Sequence, residues 1–136
     1  MATHATTIVP RFGELDPYNH VNHAVYVSYF EAARCVALES ADLALPDLSN
    51  QNVQIVVTNL EVRFREPATA RDTLRVETEL AERRRASTRW QQRIIREADE
   101  AVLVEADLVA AICDNDGKPR RPPPDLMGKL EALLAG

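Results

Sequence analysis

What the 136-residue chain lacks already narrows its reading. It has only two cysteines, Cys35 and Cys113, each in an apolar neighbourhood. That argues against a disulfide framework and for a reducing compartment, with both thiols serving as small core residues. It has three histidines, and although His20, His23 and Asp16 together offer imidazole and carboxylate, no third histidine lies nearby and no familiar metal spacing results. No run approaches the ~18 apolar residues of a membrane span, and no charged-then-apolar leader opens the sequence. A soluble, cytoplasmic protein with no membrane association is the expectation. Positive charge is short, 16 Lys and Arg against 21 Asp and Glu for a net charge of -5, which disfavours nucleic acid as a partner. Internal repeats are absent, and Pro122 to Pro124 is the one low-complexity run. The length suits one domain, residues 1–136, able to bury a core without staples.

What is present organises itself by periodicity. Thr6 to Phe12 reads as a first strand, ended by Gly13 and the Asp16-Pro17 pair, with a loop through about Val21. Asn22 is a good N-cap for a helix over Ala24 to Leu45, whose polar members Ser28, Glu31, Arg34, Glu39 and Asp42 fall mostly along one stripe. Such a helix must be buried on most sides. Val53 to Glu66 is strand-like but changes phase: Val53, Ile55 and Val57 share one parity, Leu60, Val62 and Phe64 the other, so a bulge is expected around Thr58 and Asn59. Leu74 to Leu80 alternates as a half-buried strand ending in Arg83, Arg84 and Arg85. Ser87 to Arg96 returns, Glu97 to Glu100 turns, and Val102 to Ile112 presents one clean apolar face. Asp114 to Gly117 is a turn. It resembles the start of a calcium loop but lacks the later acidic ligand. Asp125 caps a short amphipathic helix carrying Leu126, Leu130, Leu133 and Leu134. The order predicts an α+β fold, an antiparallel sheet wrapped around one long central helix, plus a short C-terminal helix.

The stretch RFGELDPYNHVNHAVYVSYFEAAR, residues 11–34, packs Asp16, Asn19, His20, Asn22 and His23 against the start of that apolar helix. The first N–H groups of a helix have no intrahelical partner and carry partial positive charge, so His23 and Ala24 offer donors to an anion or a developing oxyanion. Asp16, held in a bend by Pro17, faces them as a nucleophile or as a base toward water. A carboxylate opposite main-chain donors is a minimal acyl-transfer site. Asn22 orders the helix terminus, and His20 is a candidate helper. Tyr26, Tyr29 and Phe30 read as core, and Tyr26, one turn on from His23, is also placed to border the acyl pocket. Cys35 has no base beside it, and Ser28 lacks a nucleophile-elbow context, so neither is a candidate nucleophile.

These residues resemble a family. Phe12-Gly13-Glu14-Leu15-Asp16-Pro17, then His20-Val21-Asn22-His23, Tyr26 and Tyr29-Phe30-Glu31-Ala32-Ala33-Arg34, with Val62-Arg63-Phe64-Arg65-Glu66-Pro67 before Asp72, is similar to the signature of hotdog-fold acyl-CoA thioesterases of the 4-hydroxybenzoyl-CoA thioesterase superfamily. The resemblance implies that Asp16 attacks the thioester or directs water and that the His23 N–H polarises its carbonyl, with no cofactor. It also implies a homodimer, with sheets joined edge to edge and often paired into a homotetramer, whose active sites lie at the subunit interface. Some relatives carry Ala-Gly where Tyr18-Asn19-His20 stand here, whereas His-Val-Asn occurs in fatty-acyl thioesterases, including ones acting on acyl carrier protein. Coenzyme A or a carrier protein is therefore the expected acyl carrier. If it is coenzyme A, Arg83, Arg84 and Arg85, or Arg120 or Arg121, are candidates to hold its phosphates. A hotdog hydratase or dehydratase, and a non-catalytic acyl-CoA-binding protein, are the alternatives.

Overall fold

The computed structural model describes residues 4–135. Strand β1 (His4–Ile8) is followed by a single 3-10 turn (Phe12–Glu14), helix α1 (His23–Ser40) and helix α2 (Leu45–Asn50). Strands β2 (Gln54–Phe64), β3 (Leu74–Arg83), β4 (Ser87–Arg96) and β5 (Ala101–Cys113) come next, and helix α3 (Pro124–Ala135) ends the chain. The strands form one sheet in the order β1-β3-β4-β5-β2 with every neighbour antiparallel. One face carries α1, α2 and α3. This is the α+β hotdog arrangement that the sequence leads one to expect.

Two boundaries differ from the expectation. The first strand stops at Ile8 instead of running to Phe12, because Pro10 has no N–H to donate to a ladder and the chain then coils into the 3-10 turn. The long helix stops at Ser40 instead of Leu45. Asp42 adopts a left-handed conformation (φ 61°), the Leu43 N–H folds back to the Leu38 carbonyl at 2.8 Å, and Pro46 opens the separate helix α2. The expected phase change in β2 is present as a register shift between Val57 and Asn59, so that Ile55, Val57, Leu60, Val62 and Phe64 all turn toward the helices.

The core is in two parts. Near the start of α1, Tyr26, Tyr29, Phe30 and Ala33 pack on Leu74, Val76, Ile94, Val104 and Ala106. At and beyond its C-terminal end, Leu38, Leu43 and Leu48 join Leu126 and Leu130 of α3 over Leu80, Trp90, Leu108 and Ile112. Each fully buried large side chain contributes about 1.5–3 kcal/mol. Between the two parts runs a polar row. Gln92, fully buried on β4, donates to Thr78 Oγ1 on β3 and to the Phe30 carbonyl of α1, both at 2.9 Å, and accepts from Arg34 Nη1 at 2.8 Å. Every polar atom of that amide is thereby satisfied, which ties the helix to the sheet in one register.

The opposite face of the sheet is charged. Glu77, Arg93, Glu105 and Arg63 stand side by side across β3, β4, β5 and β2 with alternating sign. A concavity of about 440 Å³ on this face is lined by these residues with Glu61, Gln91 and Asp107. It lies on the far side of the sheet from the helix N-terminus, and Arg93–Glu77, Arg63–Glu61 and Arg89–Asp107 pairs neutralise its walls. Among the described residues, no helix is long and apolar enough to cross a membrane.

Candidate active site

The segment from Glu14 to Asn22 closes on itself. Leu15 and Val21 form an antiparallel bridge, the Asp16 N–H donates to the His20 carbonyl at 2.7 Å, and the Asn22 N–H donates to the Glu14 carbonyl at 2.9 Å. The turn between them is made by Pro17 and Tyr18, with Asn19 in the left-handed region (φ 61°), a conformation that asparagine tolerates better than most residues. Sheet pairing does the rest: His20 bridges Thr69, and the Val21 N–H donates to the Ala68 carbonyl at 2.8 Å. The loop is thereby fixed to the connection between β2 and β3.

Within this hairpin the Asp16 carboxylate is held by one oxygen. Oδ1 accepts from the main-chain N–H groups of Tyr18 (2.8 Å) and His20 (3.1 Å), while Oδ2 has no partner among the described residues. One oxygen sets the orientation; the other is available to a reacting atom. Two residues past the bridge, Asn22 caps α1 through its side chain, accepting from the Ala24 N–H at 3.0 Å. The Ala24 donor expected for an oxyanion is therefore committed to the cap. The His23 N–H stands at the positive end of an 18-residue helix without a partner among the described residues. His20 takes part through its main chain, and its ring makes no hydrogen bond among the described residues.

Tyr26, expected at the pocket border, is buried and accepts from the Ala68 N–H at 3.0 Å, so its hydroxyl pins the strap to which the loop is bridged. Its ring packs edge-on against Tyr29 and tilted against Phe64, with centroids 6.3 and 5.8 Å away. Burial raises the Tyr26 pKa, and the nearby Asp16 and Asp72 carboxylates raise it further. Tyr29 donates to Glu14 Oε1 at 2.8 Å, and burial followed by that bond pushes its pKa well up, so both phenols stay protonated. Periodicity reads Tyr29 as core and leaves Glu14 without a task. Only a free acceptor nine residues before a helix hints that the two meet.

The arginines do not join Asp16 within one chain. Arg83 pairs with Glu131 of α3 and Arg84 with Glu82, while Arg120 donates to the carbonyls of Gln51 and Asn52. Arg85 is exposed beside them. They occupy the end of the sheet where β3 finishes, whereas the strap at Ala68 precedes its start, a separation of roughly 30 Å over ten residues of strand. Around Asp16 the surface is instead apolar: Phe12 is 92% exposed, Tyr18 79%, Val9 57% and Phe64 53%. An exposed apolar rim around a lone carboxylate oxygen suits a greasy substrate, or a second chain.

The chain is similar to known proteins along most of its length. Residues 10–130 match the profile of the thioesterase-like superfamily. The chain is 32% identical over 108 residues to the long-chain acyl-CoA thioesterase FadM of Escherichia coli, covering 79% of this chain and 80% of that one. It is 29% identical over 121 residues to the acyl-CoA thioester hydrolase YbgC of Escherichia coli, covering 88% and 90%. The crystal structure of a hypothetical protein from Thermus thermophilus superposes with a TM-score of 0.88 at 31% identity, over 96% of this chain and 98% of that one. A profile spanning nearly the whole chain, carried on a hotdog sheet, places the chain in the thioesterase-like superfamily as a thioester hydrolase.

Proposed function

We propose that the protein hydrolyses acyl-CoA thioesters, with Asp16 as the acid-derived catalytic group and the His23 N–H as the oxyanion donor. The observation that supports this reading is the division of labour at Asp16: one oxygen is tied to two amides, the other has no partner among the described residues, and the same hairpin leads into the helix whose first N–H, that of His23, is likewise unpaired among them. As a base, Asp16 takes a proton from water. The hydroxide adds to the thioester carbon, negative charge collects on the carbonyl oxygen at the His23 N–H, the C–S bond breaks, and the thiolate recovers the proton. As a nucleophile, the same oxygen adds directly and water cleaves the resulting anhydride. A burst of thiol release in the first turnover distinguishes the second route. Asn22 acts by keeping the helix terminus ordered and Tyr26 by holding the strap.

The functional unit is a homodimer paired through β2, working in the cytoplasm. β2 is an edge strand, unlike β3, β4 and β5, and it leaves Val56 45%, Val57 40% and Leu60 38% exposed. Long apolar edges of this kind are rarely left open. Antiparallel pairing about the middle of β2 reverses the partner end for end, which sets its Arg120 end beside this chain's Phe64 and Asp16 end. Residues remote from Asp16 in one chain thereby become candidates for coenzyme A phosphates in the pair. A hydratase or dehydratase is less well supported, because no histidine ring bonds Asp16 among the described residues to serve as the second acid–base group. Thiol release from a panel of acyl-CoAs, with wild type and Asp16→Ala compared, tests the reading: cleavage by the wild type alone supports it, and cleavage by neither protein overturns it.

A further inference from the structure

Arg34 is an arginine without a counter-ion in a half-buried place. Of its five N–H donors, one goes to Gln92 Oε1, and no carboxylate lies within ion-pair distance among the described residues. The neighbouring Glu31 acts on it only at longer range. Taking a guanidinium partly out of water is costly, and structures usually repay it with a carboxylate. Here the repayment is a single neutral amide. That amide is itself immobilised by Thr78 and the Phe30 carbonyl, so the guanidinium is held in place with donors to spare.

Its location follows from the sheet register. Gln92 stands opposite Ala106 on β5, which stands opposite Val62 on β2, all on the helix face. Next along β2 on that face come Leu60 and Phe64, exposed and apolar, with Phe64 leaning on Tyr26 one turn into α1. An apolar strip therefore leads from the Asp16 end past Phe64 and Val62 to the row where the Arg34 head group sits. The axial distance is set by α1: from His23 to Phe30, whose carbonyl shares Gln92 with Arg34, is seven residues, or about 10 Å at 1.5 Å each.

We infer that Arg34 is a specificity determinant that reads the far end of the acyl group, favouring acyl chains that carry a carboxylate or other oxygen acceptor about eight carbons from the thioester. Eight extended carbons span about 9 Å at the per-bond advance of an extended chain, which brings a terminal carboxylate to hydrogen-bond distance of the guanidinium. The inference rests on the thioesterase reading above and adds the polarity of the substrate's distal end. Arg34 touches no reacting atom. It selects and does not catalyse.

The test compares octanoyl-CoA with the CoA monothioester of the eight-carbon dicarboxylic acid. Wild type is expected to favour the carboxylated chain in kcat/KM by about 10–100-fold, as a charged hydrogen bond gives. Arg34→Gln should bring that ratio to about one while octanoyl-CoA is still cleaved. An unchanged ratio in Arg34→Gln, or a wild-type preference for octanoyl-CoA, overturns the inference while leaving the thioesterase reading intact. Failure of wild type on both substrates and on the wider acyl-CoA panel overturns both. Should Arg34→Gln not fold, thermal shift of wild type decides: the free dicarboxylic acid should raise Tm more than octanoate at equal concentration, and an equal or smaller rise counts against Arg34.

Discussion

Asp16, Asn22 and His23 lie within eight residues of one another, and that is why their association is readable from the chain. A bend at Pro17, a cap at Asn22 and a helix start at His23 are local events governed by local chemistry. Asp16→Asn keeps an oxygen for the Tyr18 and His20 amides but loses the charge, so the fold should persist while kcat falls by about 10²–10⁴-fold with KM little changed. Circular dichroism with steady-state kinetics checks both halves. Asn22→Ala removes the cap from Ala24. It should cost about 1 kcal/mol, roughly 3–5 °C in Tm, and lower kcat, whereas Asn22→Asp should restore stability. Loss of activity in Asn22→Ala with no change in Tm would mean that the side chain acts on substrate and not on the helix. The Tyr26 contact with Ala68 and the Arg34 contact with Gln92 were not readable, since they join residues 42 and 58 positions apart. Nothing in a single sequence states such a pairing. Cys113 is buried as expected, but Cys35, expected in the core, is only half-buried on α1, with its thiol pKa raised by burial and by Glu31, so it remains a poor nucleophile.

At the scale of elements, periodicity located every strand of the sheet and the bulge in β2, because alternation in burial is written directly into residue type. It misplaced the end of α1 because Ala41 to Leu45 continues the apolar pattern, and the reversal depends on Asp42 accepting a positive φ. Helix α3 is fastened there twice, by Leu126 and Leu130 in the core and by Lys129 to Asp42 at the surface. These should differ sharply in weight. Leu130→Ala is expected to cost about 2–5 kcal/mol in urea unfolding, and Lys129→Ala far less, because its ion pair lies in solvent. The acid response belongs to the same scale. Lys129, Arg96, Arg75 and Arg89 hold the carboxyls of Asp42, Asp99, Glu100 and Asp107 below the usual range. Each of these groups is less protonated folded than unfolded below about pH 5, so stability rises with pH there. Their contribution is complete above the ordinary carboxylate pKa of about 4 and is lost as pH falls through the lower folded values. Tm measured from pH 5 to pH 2.5 should fall, and fall less when salt has already screened these exposed pairs.

For the whole molecule, the sequence shows strands but not their order, and the order decides what is left open. Inserting β1 beside β3 and sending β2 beyond β5 places the strand after α2 at an edge, and no local pattern announces that. Only with the order known do Val56, Val57, Leu60 and Phe64 become exposed apolar groups on an edge strand in place of core residues. Their two faces argue for a second sheet edge and against a flat partner. Val56 points with the charged face, and Val57, Leu60 and Phe64 point with the helix face, so a partner that satisfies both must continue the sheet through the strand itself. A two-fold axis normal to the sheet does so and keeps both copies of α1 on one side. Val57→Lys with Leu60→Lys would then set four like charges near the axis and should convert a dimer to a monomer in sedimentation velocity. On the proposed dimer the same change also removes a wall of each Asp16 site, so kcat/KM for acyl-CoA should fall together with dimerisation. A double variant that stays dimeric and fully active would place the interface elsewhere and detach the site from β2.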